Sequence, residues 1–139
     1  MLVDSVQNGM VIDHITNGKA MQIYKMLSLS KLNCPVVILE NVPSKKMGKK
    51  DIIKIHDDID INLDVLGFIS PNITVDIIKN GQIINKKHIE LPEKLTDIIV
   101  CKNPRCITST EQGIKHIFKL TDKDKGEYRC LYCETKAER

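Results

Sequence analysis

Thr74-Val75-Asp76-Ile77-Ile78-Lys79-Asn80-Gly81-Gln82-Ile83-Ile84-Asn85-Lys86 consists of two apolar runs joined by Asn-Gly. Both central positions of a two-residue hairpin turn need positive φ, which Asn and Gly adopt most readily, so the stretch is predicted to be an antiparallel hairpin. Toward the N-terminus, Asn62 is placed to cap a helix whose Leu63, Leu66 and Phe68 or Ile69 face inward. That helix stops before Ser70-Pro71, because proline disfavours helical geometry in the residue preceding it. Asp51-Ile52-Ile53-Lys54-Ile55 reads as a strand, and Val36-Val37-Ile38-Leu39 as a short apolar strand buried on both faces. Between them, Pro43 to Lys50 reads as a solvated, lysine-rich loop, with phosphate binding an option only beside a pocket. Ala20, Ile23, Tyr24 and Leu27 recur at helical spacing behind a cap at Thr16 or Asn17, and Val11-Ile12-Asp13-His14-Ile15 forms the first strand. The order strand, helix, strand, strand, helix, strand, with one extra hairpin strand, predicts an α+β fold with a ferredoxin-like N-terminal sheet.

Beyond the hairpin, Leu91-Pro92-Glu93-Lys94 reads as a joint, dividing the chain into residues 1–92 and 93–139. Ile98-Ile99-Val100 is expected to be a strand running into Cys101. Cys101 and Cys106 stand at the ends of Lys102-Asn103-Pro104-Arg105, whose Asn-Pro turns the chain back, and Cys130 and Cys133 enclose Leu131-Tyr132. Two short cysteine loops from distant points of a chain supply the four soft donors of a closed tetrahedral zinc site, which organises a fold and leaves no open position for catalysis. A pair of disulfides or a redox dithiol is the other reading, and a cytosolic chain rarely keeps structural bridges. Ile114 to Leu120 alternates apolar and polar side chains, and Gly126 to Cys130 returns toward the second cysteine pair, so this part is predicted to be small and all-β. Neither stretch is long enough to bury a core alone, and the metal supplies the missing stability.

The chain of 139 residues carries a formal charge of +3, and four thiolates around one Zn²⁺ bring that to about +1. The first hundred residues hold twelve basic and twelve acidic side chains, the remainder nine and six, so neither part has the basic excess that a nucleic-acid-binding zinc ribbon uses against phosphates. No run of about eighteen apolar residues and no signal peptide is present, giving a cytoplasmic expectation with no membrane partner. Gly-rich phosphate loops and nucleophile motifs are also missing. Asp13 and His14 are adjacent in a strand, where neighbouring side chains point to opposite faces, so the pair is not expected to bond through its side chains. Cys34 reads as a small buried hydrophobe.

Gly9-Met10-Val11-Ile12-Asp13-His14-Ile15, Asn41-Val42-Pro43-Ser44, Met47-Gly48-Lys49-Lys50-Asp51-Ile52-Ile53-Lys54-Ile55 and Leu91-Pro92-Glu93, followed by the two cysteine pairs, resemble the regulatory chain of aspartate carbamoyltransferase. The match runs in order along nearly the whole chain. The resemblance implies a non-catalytic chain with an N-terminal allosteric domain that binds CTP as inhibitor and ATP as activator. It also implies a C-terminal domain, with one structural Zn²⁺, that docks on the catalytic chain. Regulatory dimers and catalytic trimers would assemble into a dodecamer controlling pyrimidine biosynthesis. Carried over by position, the nucleotide site comprises Val3, Asp4, Val6, Asp13, His14, Lys54, Asp76, Ile78, Ile83 and Lys86, and the docking contacts are Asn103, Arg105 and Glu134.

The residue chemistry suits that set. Lys54 alternates with Ile53 and Ile55 and so shares a face with Ile52, while Lys86 lies near the end of the hairpin; two ammonium groups there neutralise much of a triphosphate. Asp13 is expected to accept from a ribose hydroxyl, and Val3, Val6 and Ile83 to offer apolar surface to a base. Asp76 stands where the family commonly has asparagine, and Gly81 where it can have an aromatic residue.

Overall fold

The computed structural model describes residues 6–138. Backbone contacts divide the chain into two compact units, Met1–Ile89 and Glu90–Arg139. In the first unit the elements follow as β1 (Gly9–Thr16), α1 (Ala20–Met26), β2 (Val36–Ser44), β3 (Gly48–Ile55), α2 (Leu66–Ile69), β4 (Thr74–Lys79) and β5 (Gln82–His88). The five strands form one sheet in the order β2-β3-β1-β4-β5, antiparallel at every pairing. The first four strands are the expected ferredoxin-like arrangement, and β5 extends it by the hairpin. The hairpin turn is as its sequence demands, with φ of 52° at Asn80 and 74° at Gly81.

One face of this sheet is the core. Ile12, Ile53, Ile55 and Val75 are fully buried, and cross-strand pairing puts Ile12 opposite both Ile53 and Val75. Asp51 belongs to the same face and is also fully buried. Its carboxylate accepts hydrogen bonds from the backbone amides of Gly18 (2.9 Å) and Ala20 (3.3 Å) at the start of α1, from the Asn41 amide (3.2 Å) and from the Asn17 side chain (2.9 Å). The cap of α1 is therefore a carboxylate from a distant strand. Neither Thr16 nor Asn17 caps it locally; the N-cap residue is Lys19, without a side-chain cap bond.

Four other expectations of local structure are corrected. The Val36–Leu39 run lies in an edge strand and is only partly buried, since β2 has a neighbour on one side alone. The lysine-rich segment is mostly strand: β2 continues to Ser44, β3 begins at Gly48, and only residues 45–47 turn. The second helix is a single turn without a side-chain cap, and the Asn62 carboxamide instead accepts from the Asp64 amide in a local turn. Cys34 is half-buried rather than buried.

The second unit holds β6 (Lys94–Thr96), the short helix α3 (Ile107–Thr110), β7 (Ile117–Asp122) and β8 (Glu127–Cys130), the strands forming a sheet in that order. Residues 98–100 are not strand: the chain leaves β6 through Asp97, whose φ is 56°, and approaches Cys101 as a bend. Leu95, Phe118 and Tyr128 make the small core, one residue from each strand. The Tyr128 hydroxyl donates to the Pro92 carbonyl, and the Leu120 amide donates to the Glu93 carbonyl, so these two residues of the expected joint are tied to this unit. Among the described residues no helix is long and apolar enough to cross a membrane.

Candidate functional site

The face of the first sheet opposite its core gathers most of the residues singled out in the sequence. Directly paired residues of neighbouring strands share a face, and Lys54 on β3 pairs with Val11 on β1, which pairs with Asp76 on β4, which pairs with Lys86 on β5. With strands about 4.8 Å apart, this row spans about 14 Å from one lysine backbone to the other. A second row places Asp13 opposite Thr74, and a third places Gly9 opposite Ile78, which faces Ile83. Asp13, Lys54, Asp76, Ile78, Ile83 and Lys86 are thereby brought to one surface. Val6 is buried, and the segment after it is tied to the hairpin tip, where the Gly81 amide donates to the Gln7 carbonyl at 2.9 Å and the Asn80 amide to the Asn8 side chain at 3.3 Å. Val3 and Asp4 lie outside the described residues.

His14 corrects the argument from strand alternation. The β1–β3 register shifts between Ile12 and Ile15, and His14 itself has a φ of 57°, so a bulge re-aims its side chain. The imidazole Nδ1 comes to 2.9 Å from Thr74 Oγ1, on the face that Asp13 also occupies. Asp13 meets His14 through the backbone instead: its carboxylate accepts from the His14 amide at 2.6 Å.

Charges on this face are only partly compensated. Lys50 Nζ pairs with Asp13 at 3.0 Å. Asp76 is buried, and its Oδ1 has no hydrogen-bond partner among the described residues. Sequence reasoning missed Lys50 and Thr74. The signal for Lys50 was present, because it stands four residues before Lys54 in the same strand and so on the same face. Thr74 is legible only from the register.

In the second unit the four cysteines converge. Cys101 follows the bend after β6, Cys106 precedes α3, Cys130 ends β8, and Cys133 closes the turn beyond it. Their sulfurs all lie within 4.8 Å of one another, with Cys101 and Cys133 at 3.6 Å and Cys106 and Cys130 at 3.7 Å. A tetrahedron with Zn–S bonds of about 2.3 Å has sulfur–sulfur edges of about 3.8 Å, so the donor set fits one zinc ion. All four donors are protein sulfurs, which makes the centre structural.

Hydroxyls beside two of the sulfurs support the thiolate form. The Thr108 hydroxyl donates to Cys106 Sγ at 3.1 Å, and Thr135 Oγ1 lies 3.2 Å from Cys133 Sγ. Burial pushes the Cys101 thiol up to about 12 and raises Cys130 as well. At Cys133 burial also pulls upward, but hydrogen bonds from the Thr135 hydroxyl and backbone and from the Asn103 side chain outweigh it and bring the thiol down to about 6. Sulfurs packed this closely stay ionised together only around a cation.

The three expected docking residues sit at this centre. Arg105 and Glu134 are exposed, Glu134 at a φ of 64°. The Asn103 side chain is committed to its own loop, accepting from the Arg105 amide at 3.0 Å while also supporting Cys133. Sequence reasoning passed over an apolar collar. Val100, Ile107, Leu131 and Tyr132 are exposed by 65%, 41%, 43% and 45%, and each is the immediate chain neighbour of a cysteine ligand.

Residues 1–90 match the family described as "Aspartate carbamoyltransferase regulatory chain, allosteric domain", and residues 93–139 the one described as "Aspartate carbamoyltransferase regulatory chain, metal binding domain". The chain belongs to the aspartate carbamoyltransferase regulatory-chain family. Similar proteins of that name include one from Bifidobacterium longum, 44% identical over 99% of both chains. Another, from Clostridium tetani, is 49% identical over 96% of this chain and 94% of its own, and one from Clostridium acetobutylicum is 48% identical over 96% and 92%. As a regulatory chain this molecule is not the catalyst; its two parts are an allosteric domain and a metal-binding domain. The four-cysteine centre falls within the metal-binding match, and the lysine-flanked sheet face within the allosteric one.

Proposed function

We propose that this chain controls a catalytic chain of aspartate carbamoyltransferase by binding nucleoside triphosphates on its N-terminal sheet, CTP inhibiting and ATP activating, as feedback within pyrimidine biosynthesis in the cytoplasm. The observation that carries the reading is the Lys54-Val11-Asp76-Lys86 row, which places two lysines at opposite ends of one surface beside the Lys50–Asp13 pair and the His14–Thr74 contact. Lysines act as phosphate clamps, Asp13 and His14 offer hydrogen bonds to a sugar, and the exposed Ile83, backed by the buried Val6 and Ile78, offers apolar surface to a base. Residues 1–92 carry this allosteric function. Residues 93–139 dock on the catalytic chain, with the zinc ion fixing the collar of Val100, Ile107, Leu131 and Tyr132 and the adjoining Arg105 and Glu134 in one orientation. Exposed apolar residues clustered on a rigid support suit a protein interface better than open solvent. Regulatory dimers joined to catalytic trimers in a dodecamer then carry the signal. CTP and ATP shift activity only by binding the active and inactive states unequally, and a difference of about 1–3 kcal/mol is enough. Isothermal calorimetry on the zinc-loaded chain tests the site: CTP and ATP should bind one site per chain and displace each other, and failure of either to bind would overturn the reading.

A further inference from the structure

A carboxylate lies in the middle of the surface assigned to the phosphates. Asp76 sits in the row between Val11 and Lys86, is 9% exposed, and has an Oδ1 buried without a hydrogen-bond partner among the described residues. Lys86 is its cross-strand neighbour, yet the ion pairs among the described residues do not include Asp76. Asp13 on the same face differs, since Lys50 neutralises it at 3.0 Å. A buried polar atom without a partner is costly, so the site implies a group that arrives from outside. That group cannot be a bare phosphate oxygen, because two acceptors of like charge repel. It has to be a donor or a cation.

We infer that Asp76 is a protein ligand for a divalent cation of the Mg²⁺ class, which enters with the nucleotide and joins the Asp76 carboxylate to phosphate oxygens. Hard cations take oxygen donors, and Mg²⁺ characteristically binds through one or two carboxylates together with substrate phosphates while keeping several waters. The two lysines of the row meet the phosphate charge that the cation leaves over. Cation and nucleotide then bind cooperatively at this site.

The inference rests on the nucleotide reading, and the experiment separates the two. Full-length zinc-loaded chain is freed of other divalent ions on a chelating resin, since a soluble chelator would also draw on the cysteine centre. CTP and ATP are then titrated calorimetrically with and without millimolar MgCl₂, for the parent and for Asp76→Asn. In the parent, Mg²⁺ should tighten both nucleotides by about tenfold or more. Asp76→Asn should bind better than the parent without Mg²⁺ and gain little when it is added. With Mn²⁺ as probe, the electron paramagnetic resonance signal of a protein-bound Mn²⁺–nucleotide complex should appear with the parent and weaken with Asp76→Asn. Equal parent affinity with and without Mg²⁺, or the same Mg²⁺ gain in the variant, overturns the cation site and leaves nucleotide binding intact. No nucleotide binding under either condition overturns both.

Discussion

Replacing Lys54 with methionine isolates the charge at one end of the proposed binding row. Methionine keeps most of the apolar stem, which matters because Lys54 is partly buried between Val11 and Val37 in the register of the sheet. Lys50, four residues earlier on the same face, is spent on Asp13 at 3.0 Å, whereas Lys54 forms none of the ion pairs among the described residues. Its charge is therefore free for a ligand. At about 4 Å and an effective dielectric constant of about 20, one ammonium and one unit of phosphate charge attract by about 4 kcal/mol before desolvation. The net value of a hydrogen bond to a charged group is about 1.5–3 kcal/mol, and that range is the expected loss. It corresponds to a rise in Kd of about 10- to 150-fold for CTP and ATP alike, because both carry the same triphosphate. Calorimetry at low and high salt is the assay, and the variant should also show a shallower salt dependence than the parent. Unchanged affinity for both nucleotides in a Lys54→Met chain that melts normally would refute the assignment of this face to phosphate.

Cys130→Ser should lose the metal and unfold the second unit, whose strands are only three, six and four residues long; metal analysis together with hydrogen exchange should show zinc gone and the first unit still protected. Asp51→Ala removes the buried acceptor of three backbone amides and one side-chain amide, so denaturant unfolding should report a loss of about 2–4 kcal/mol in the first unit. No loss would mean that water replaces the carboxylate. Leu131→Ser combined with Tyr132→Ser should weaken assembly with the catalytic chain by about 2 kcal/mol or more while zinc content stays at one per chain; sedimentation showing assembly as tight as the parent's would move the docking surface elsewhere.

The parts of the fold that were legible in the sequence are those set by local chemistry. Asn80-Gly81 dictates its turn because of positive φ, and the cysteine spacing dictates the metal centre because sulfur geometry does. What escaped was set by tertiary context. An apolar run such as Val36–Leu39 reads the same in a central strand and at an edge, and only the strand order decides. The cap of α1 comes from Asp51, 31 positions after Ala20, beyond the reach of any capping pattern along the chain. The direction of the His14 side chain escaped because a single bulge cancels the two-residue period on which the alternation argument stood. The collar around the cysteines was visible in sequence as Val100, Ile107, Leu131 and Tyr132, but apolar residues beside buried ligands read as core until their exposure is known.

Control of a catalytic chain is the central claim, and reconstitution tests it most directly. Purified aspartate carbamoyltransferase catalytic chain is assayed alone and after assembly with this zinc-loaded chain, across substrate concentrations, with CTP or ATP added. The account predicts that neither nucleotide moves the half-saturating substrate concentration of the catalytic chain alone. In the assembled complex CTP should raise it and ATP lower it, within the range set by a coupling of about 1–3 kcal/mol. A stable, zinc-replete complex whose substrate saturation ignores both nucleotides would contradict it.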